Sequence, residues 1–151
     1  MNWINILPNL VIGYRHTGII VKDMQLSLKF YRDFLGLEVI QDFYDDSVYI
    51  NKITGLVNGS AHFIKLKMND GSVLELLEYP THPTSHHQLS IINVGIAHIA
   101  LQVKCAEEAY TFLKSKNVKV LSKPILSSEG IAKVFFCLDP DNVRVEIVEM
   151  L

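Results

Sequence analysis

A glutamate set among branched aliphatic residues, just past a tight turn, occurs twice in this chain. Near the C-terminus the run IAKVFFCLDPDNVRVEIVE carries Glu146 among Val143, Val145, Ile147 and Val148, four residues beyond Asn142. Earlier, HFIKLKM, the turn Asn69-Asp70-Gly71 and SVLELLE repeat the design, with Glu75 four residues beyond Gly71. Both stretches read as β-hairpins, an apolar run, turn residues and a second run. A carboxylate in such company costs free energy unless a proton, a partner charge or a metal neutralises it. Each copy is preceded by a histidine that opens a strand-like run, His16 in HTGIIVKD and His98 in HIALQVKC. Two His and two Glu thus stand at matched places in two half-chains.

The repeat sets the organisation. Residues 11–21 read as a strand with Tyr14, His16, Gly18 and Ile20 on one face. Asp23 is placed to cap a helix whose stripe is Met24, Leu28, Phe30, Tyr31, Phe34 and Leu35, with Gly36 ending it. Strand character resumes over 37–43, 44–60 is a looser loop, and the first hairpin fills 61–79. A connector over 80–94 holds Pro80, Pro83 and His82, His86 and His87, which read as solvated loop residues rather than a second metal site. The order then restarts: a strand over 95–103, a helix over 106–116 ended by Asn117, a strand over 118–121, a loop over 122–130 and the second hairpin. The expectation is an α+β fold of two β-α-β-β-β modules, 11–79 and 95–151, in one domain spanning 1–151. His16 and His98 are 82 positions apart and Glu75 and Glu146 are 71, so the first copy carries a net eleven extra residues. Their natural place is the loop at 42–60.

Composition narrows the partners. A 49% apolar fraction supplies a core for 151 residues, and a net charge of −2 without a Lys/Arg run argues against nucleic acid. No apolar run reaches the ~20 residues that span a bilayer, and the N-terminal segment lacks a basic n-region and a cleavage site. It reads as folded protein, a strand extension or a dimer-contact arm. Two cysteines, Cys105 and Cys137, make no disulfide framework or CxxC site, and a cytoplasmic location is expected. Both read as packing residues. Glu78 and Glu149 also repeat, three residues beyond Glu75 and Glu146; odd spacing puts them on the opposite strand face, where they read as solvent-facing strand ends.

The motifs HTGIIVKD, FYRDFLGLEV, GSVLELLEY, HIALQV and DPDNVRVEIVE, in this order, resemble the vicinal oxygen chelate superfamily. That superfamily includes glyoxalase I, methylmalonyl-CoA epimerase, extradiol dioxygenases, fosfomycin-modifying thiol transferases and bleomycin-resistance proteins. The resemblance implies that paired modules curl into a cup-shaped, mixed-sheet half-barrel. It implies that His16, Glu75, His98 and Glu146 hold one divalent ion, Zn, Ni, Co, Mn or Fe, on the concave face. Four ligands resemble glyoxalase I and the epimerase more than the three-ligand branches. The position that carries an arginine in glyoxalase I is Ile20 here, and HTGIIVKDMQLSLKFYRDFLGLEV and ELLEYP are closer to the epimerase pattern. The implied activity is that of a lyase or isomerase transferring a proton beside a metal-chelated carbonyl of a small molecule or its thiol or CoA adduct. Glu75 and Glu146 would then serve as ligand and base at once. The alternatives are a non-catalytic small-molecule binder and a ring-cleaving dioxygenase. Tyr14 and Arg144 lie two residues before His16 and Glu146 and read as rim residues or as groups that orient a substrate oxygen. A homodimer is expected, because an eight-strand cup leaves sheet edges that a symmetric partner covers.

Overall fold

The structure is a computed structural model describing residues 10–85 and 91–151. His86, His87 and the N-terminal segment through residue 9 lie outside the described residues. Among the described residues, eight strands form two four-stranded mixed sheets, ordered β1-β4-β3-β2 and β5-β8-β7-β6. In the first, β1 (Thr17–Ile20) runs parallel to β4 (Val73–Glu78), and β3 (Ala61–Lys67) pairs antiparallel with both β4 and β2 (Glu38–Asp45). In the second, β5 (Ile99–Gln102) runs parallel to β8 (Arg144–Met150), and β7 (Ala132–Leu138) pairs antiparallel with β8 and β6 (Ile125–Leu126). The α+β class and the duplicated order agree with the sequence reading.

The first helix starts where the capping signal lies. Asp23 accepts from the backbone N–H of Gln25 and Leu26, and α1 (Met24–Leu28) follows. It continues as a π-helix over Lys29–Phe34, whose wider turn buries the neighbouring rings of Phe30 and Tyr31 together. Gly36 and Asn117 end the two main helices at positive φ, 78° and 59°. Gly71 and Asn142 do the same in the two hairpin turns, at 87° and 66°. Glycine at one copy and asparagine at the other are the residue types for which that conformation is least costly.

Four expected elements differ, one of them the strand expected over 95–103, which shortens to β5 with His98 just ahead of it. The first strand is shorter than 11–21: His16 precedes β1, and the Tyr14 hydroxyl meets that of Thr17. Within 44–60 lies a helix, α2 (Val48–Thr54), capped by Ser47 and closed by Gly55 at φ 76°. It occupies the extra length of the first module. The strand expected over 118–121 is an isolated bridge from Val120 to Cys137, and the paired edge strand is β6 further on.

One core serves both modules. Ile19, Leu28, Tyr31, Leu66, Leu74 and Leu76 from the first join Leu101, Leu113, Phe135, Val145 and Ile147 from the second. α1 packs on β4, and α3 (Ala106–Ser115) packs on β7 and β8. The Phe34 and Phe112 rings meet edge to face at 6.4 Å, joining the π-helix to α3. Tyr31 donates to Asp139 and the Lys22 backbone N–H donates to Asp141, both across the module boundary. Buried residues of both modules thus fall in one cluster.

Candidate functional site

Strand register brings each expected histidine to its glutamate. On β4, Leu74 and Leu76 face the core, so Glu75 points to the opposite side, level with Gly18 of β1. His16, just ahead of β1, sets its Nε2 3.2 Å from Glu75 Oε2. The second module repeats this: Val145 and Ile147 are buried, Glu146 stands level with Ala100, and His98 Nε2 lies 3.1 Å from Glu146 Oε2. Two ligands at right angles on one ion, with bonds of about 2.1 Å, are themselves separated by ~3 Å. Each His–Glu pair has that spacing, and imidazole nitrogen with carboxylate oxygen is a donor set suited to first-row divalent ions.

No three of the four expected ligands bring donor atoms mutually within 4.8 Å. Among the described residues, the three-residue cluster whose donor atoms lie mutually within 4.8 Å is Cys105, Glu107 and Glu149, with none of the four expected ligands in it. That cluster is engaged in structural contacts. Glu149 accepts from the Ala106 backbone N–H at 2.8 Å, and Glu107 pairs with Lys133 at 2.7 Å. Between the starts of β1 and β5 lies a cavity of about 460 Å³ lined by Tyr14, Thr17, Leu74, His98 and Ile99 among others. It links His98 to the strand that follows His16.

Glu78 and Glu149 do lie on the face opposite Glu75 and Glu146, but that face carries the helices. They are half-buried, and Glu78 accepts from the Met24 N–H at 3.3 Å as Glu149 does from that of Ala106. The expectation of solvent-facing strand ends is therefore corrected: these carboxylates tie each last strand to the start of its helix.

Residues that sequence reasoning passed over surround the pairs. Lys65 stands opposite Glu75 in the β3–β4 register, its Nζ 3.7 Å from Glu75 Oε1 and 2.9 Å from Gln41 Oε1. In the second module that place belongs to Phe136, whose ring meets His98 edge-on at 5.4 Å. Counting back across the hairpin turn would have found both. His62 bridges strands on the helix side, with Nε2 2.7 Å from Asp42 Oδ1 and Nδ1 3.8 Å from Glu78 Oε2. Cys137 is fully buried and its thiol is pushed up to about 12, first by burial and then by Asp139. It packs, as expected, and makes no nucleophile.

Two modules of like order, each with a His–Glu pair at the parallel pairing of its edge strand, define a duplicated α+β fold. The chain belongs to the Glyoxalase/Bleomycin resistance protein/Dioxygenase superfamily, whose model matches residues 13–147. It is 30% identical over 141 residues to lactoylglutathione lyase of Schizosaccharomyces pombe, covering 88% of this chain and 46% of that protein. The chain thus spans about half the length of that relative. A probable lactoylglutathione lyase of Synechocystis is 27% identical, over 89% of this chain and 92% of that one. A glyoxalase family protein of Bacillus cereus superposes with a TM-score of 0.87 at 17% identity, over 97% and 99% of the two chains, and supports the fold. No helix among the described residues is long and apolar enough to cross a membrane.

Proposed function

We propose that this protein is a metal-dependent lyase or isomerase that moves a proton at the carbon next to a carbonyl of a small α-oxygenated compound. The observation that carries the reading is the duplication: a His Nε2–Glu Oε2 pair at 3.2 Å in one module and at 3.1 Å in the other, at equivalent register positions. The naming of two relatives as lactoylglutathione lyase or probable lactoylglutathione lyase supports the lyase side. His16, Glu75, His98 and Glu146 would hold the ion, one of Zn, Ni, Co, Mn or Fe. Bound there, it supplies Lewis acidity to a substrate carbonyl oxygen.

The two carboxylates divide the work. Glu75 has both oxygens occupied, Oε2 by His16 and Oε1 by Lys65, and its side chain is only 12% exposed. It is the fixed member. Glu146 is 22% exposed and faces Phe136 where Glu75 faces a cation, so it is the group that reaches the substrate. A Glu146 oxygen takes the proton as the C–H bond breaks, and the electron pair stays on the substrate. Returning that proton to the neighbouring carbon, while the hydroxyl proton passes to the former carbonyl oxygen, gives the isomer, and reprotonating the same carbon on its opposite face gives the epimer. No electrons enter or leave.

Because the four ligands do not gather into one cluster within a chain, we also propose that the complete set forms between two chains. His16 and Glu75 of one copy would meet a second copy's His98 and Glu146 residues, giving a homodimer with two sites. The experiment is metal reconstitution followed by deuterium wash-in from D₂O, across α-hydroxy-carbonyl, hemithioacetal and acyl-CoA compounds. Exchange at the α-carbon that needs both ion and Glu146 is the expected result. Tight binding without exchange would instead mark a sequestering protein, and O₂ consumption with Fe²⁺ a dioxygenase.

A further inference from the structure

The two His–Glu pairs are matched in register but differ in the residue that stands opposite each glutamate. Opposite Glu146 stands Phe136; opposite Glu75 stands Lys65, 22% exposed. Two carboxylates and two neutral imidazoles balance a divalent ion, so Lys65 adds a positive charge to a set that is neutral without it. The other lysine on that face of β3, Lys67, is balanced by Glu38 at 3.3 Å. Lys65 is also aimed. Gln41 Oε1 takes one of its N–H donors at 2.9 Å, which fixes the ammonium on the Glu75 side of the sheet.

We infer that Lys65 binds an anionic group of the substrate, so that the substrate class is an α-oxygenated carbonyl compound carrying a carboxylate beside the reacting centre. The inference rests on the reaction proposed above and adds the substrate's charge and its position. Lys65 Nζ lies 3.7 Å from Glu75 Oε1, and a charge-assisted N–H···O contact adds about 2.8 Å. The anion's oxygen is therefore held within about 6.5 Å of Glu75 Oε1. A carboxylate attached directly to the carbonyl carbon, or one carbon away, meets this requirement. A remote anion at the end of a long tail does not. In a partly desolvated site, an ammonium whose carboxylate neighbour, Glu75, is shared with His16 favours such a group over its neutral analogue.

The test compares hydroxypyruvate with hydroxyacetone, which puts a methyl where the first has its carboxylate. Deuterium wash-in at the hydroxymethyl carbon and calorimetric Kd are measured on the ion-loaded protein, on Lys65→Gln and on Lys65→Arg, each checked for an unchanged melting profile. Lys65→Gln is expected to lower the hydroxypyruvate-to-hydroxyacetone ratio, in exchange and in affinity, by about tenfold or more. Lys65→Arg is expected to keep most of the preference, and the Lys65 side-chain ¹⁵N resonance to move with hydroxypyruvate only. Equal losses for both compounds would overturn the inference and leave Lys65 acting on Glu75 alone. Equal affinity of the wild-type protein for both compounds would overturn it too. If neither compound exchanges, the reaction proposal fails, while a hydroxypyruvate preference in Kd that disappears in Lys65→Gln still supports the anion site.

Discussion

The Tyr31 hydroxyl donates to Asp139 Oδ2 at 2.8 Å, tying the π-helix of the first module to the hairpin turn of the second inside the shared core. Tyr31 is fully buried, and Asp139 also accepts from the backbone N–H of Asp141 and Val143. Tyr31→Phe leaves Asp139 those two donors, so a loss of about 1–2 kcal/mol is expected. Thermal melting should fall by about 2–6 °C as a single transition.

The same region makes stability pH-dependent on the alkaline side. Burial, then Asp139, holds the Tyr31 phenol well above its ordinary 10.0, and burial raises the Cys137 thiol from 9.0 to about 12. Folded values above unfolded ones mean full stability below the unfolded pKa and loss as pH climbs past it. Denaturant midpoints should therefore be level up to about pH 8.5 and fall from there towards pH 11, with a shallower fall in Tyr31→Phe.

The two helix-tying glutamates should be unequal. At α1, Asp23 already caps the helix through Gln25 and Leu26, so Glu78 is a second acceptor there. At α3, Cys105 makes no side-chain cap, and Glu149 supplies the acceptor for Ala106. Glu149→Ala is expected to cost about 1 kcal/mol, and Glu78→Ala to cost less. Bound metal should be unchanged in both, which separates them from Glu75 and Glu146.

Thiol labelling offers a quick check on packing. Cys105 is partly exposed and Cys137 is fully buried. One equivalent should react promptly in the native protein, and the second only at the rate of unfolding.

Much of this was legible in the sequence because its signals are local. Asp23, Gly36 and Asn117 mark helix ends, and the turns at Asn69-Asp70-Gly71 and Asp139-Pro140-Asp141-Asn142 fix which residues of each hairpin face each other. α2 escaped notice although Ser47 and Gly55 bracket it. Of its apolar residues, Ile50 is buried while Val48, Tyr49 and Ile53 are exposed, so no helical stripe announces it. The edge strand was misplaced because a short apolar run does not say which part of it will find β7. His–Glu pairing followed from register and period, but the distance between the pairs depends on how two modules pack, a long-range outcome that no motif carries. Glu78 and Glu149 were assigned to the right face and the wrong surroundings, since strand alternation does not show where a helix will lie.

The most direct test of the account is complementation between two inactive variants. His16→Ala/Glu75→Ala and His98→Ala/Glu146→Ala are co-expressed with different affinity tags, and the heterodimer is isolated through both. If the ligand set is completed between chains, one of its two sites keeps all four residues. One ion per heterodimer and about half the wild-type exchange are then expected, with neither in either parent homodimer. A heterodimer with no more metal or exchange than its parents would contradict the assembly proposed here, as would a full metal complement in the Glu75→Ala/Glu146→Ala double variant.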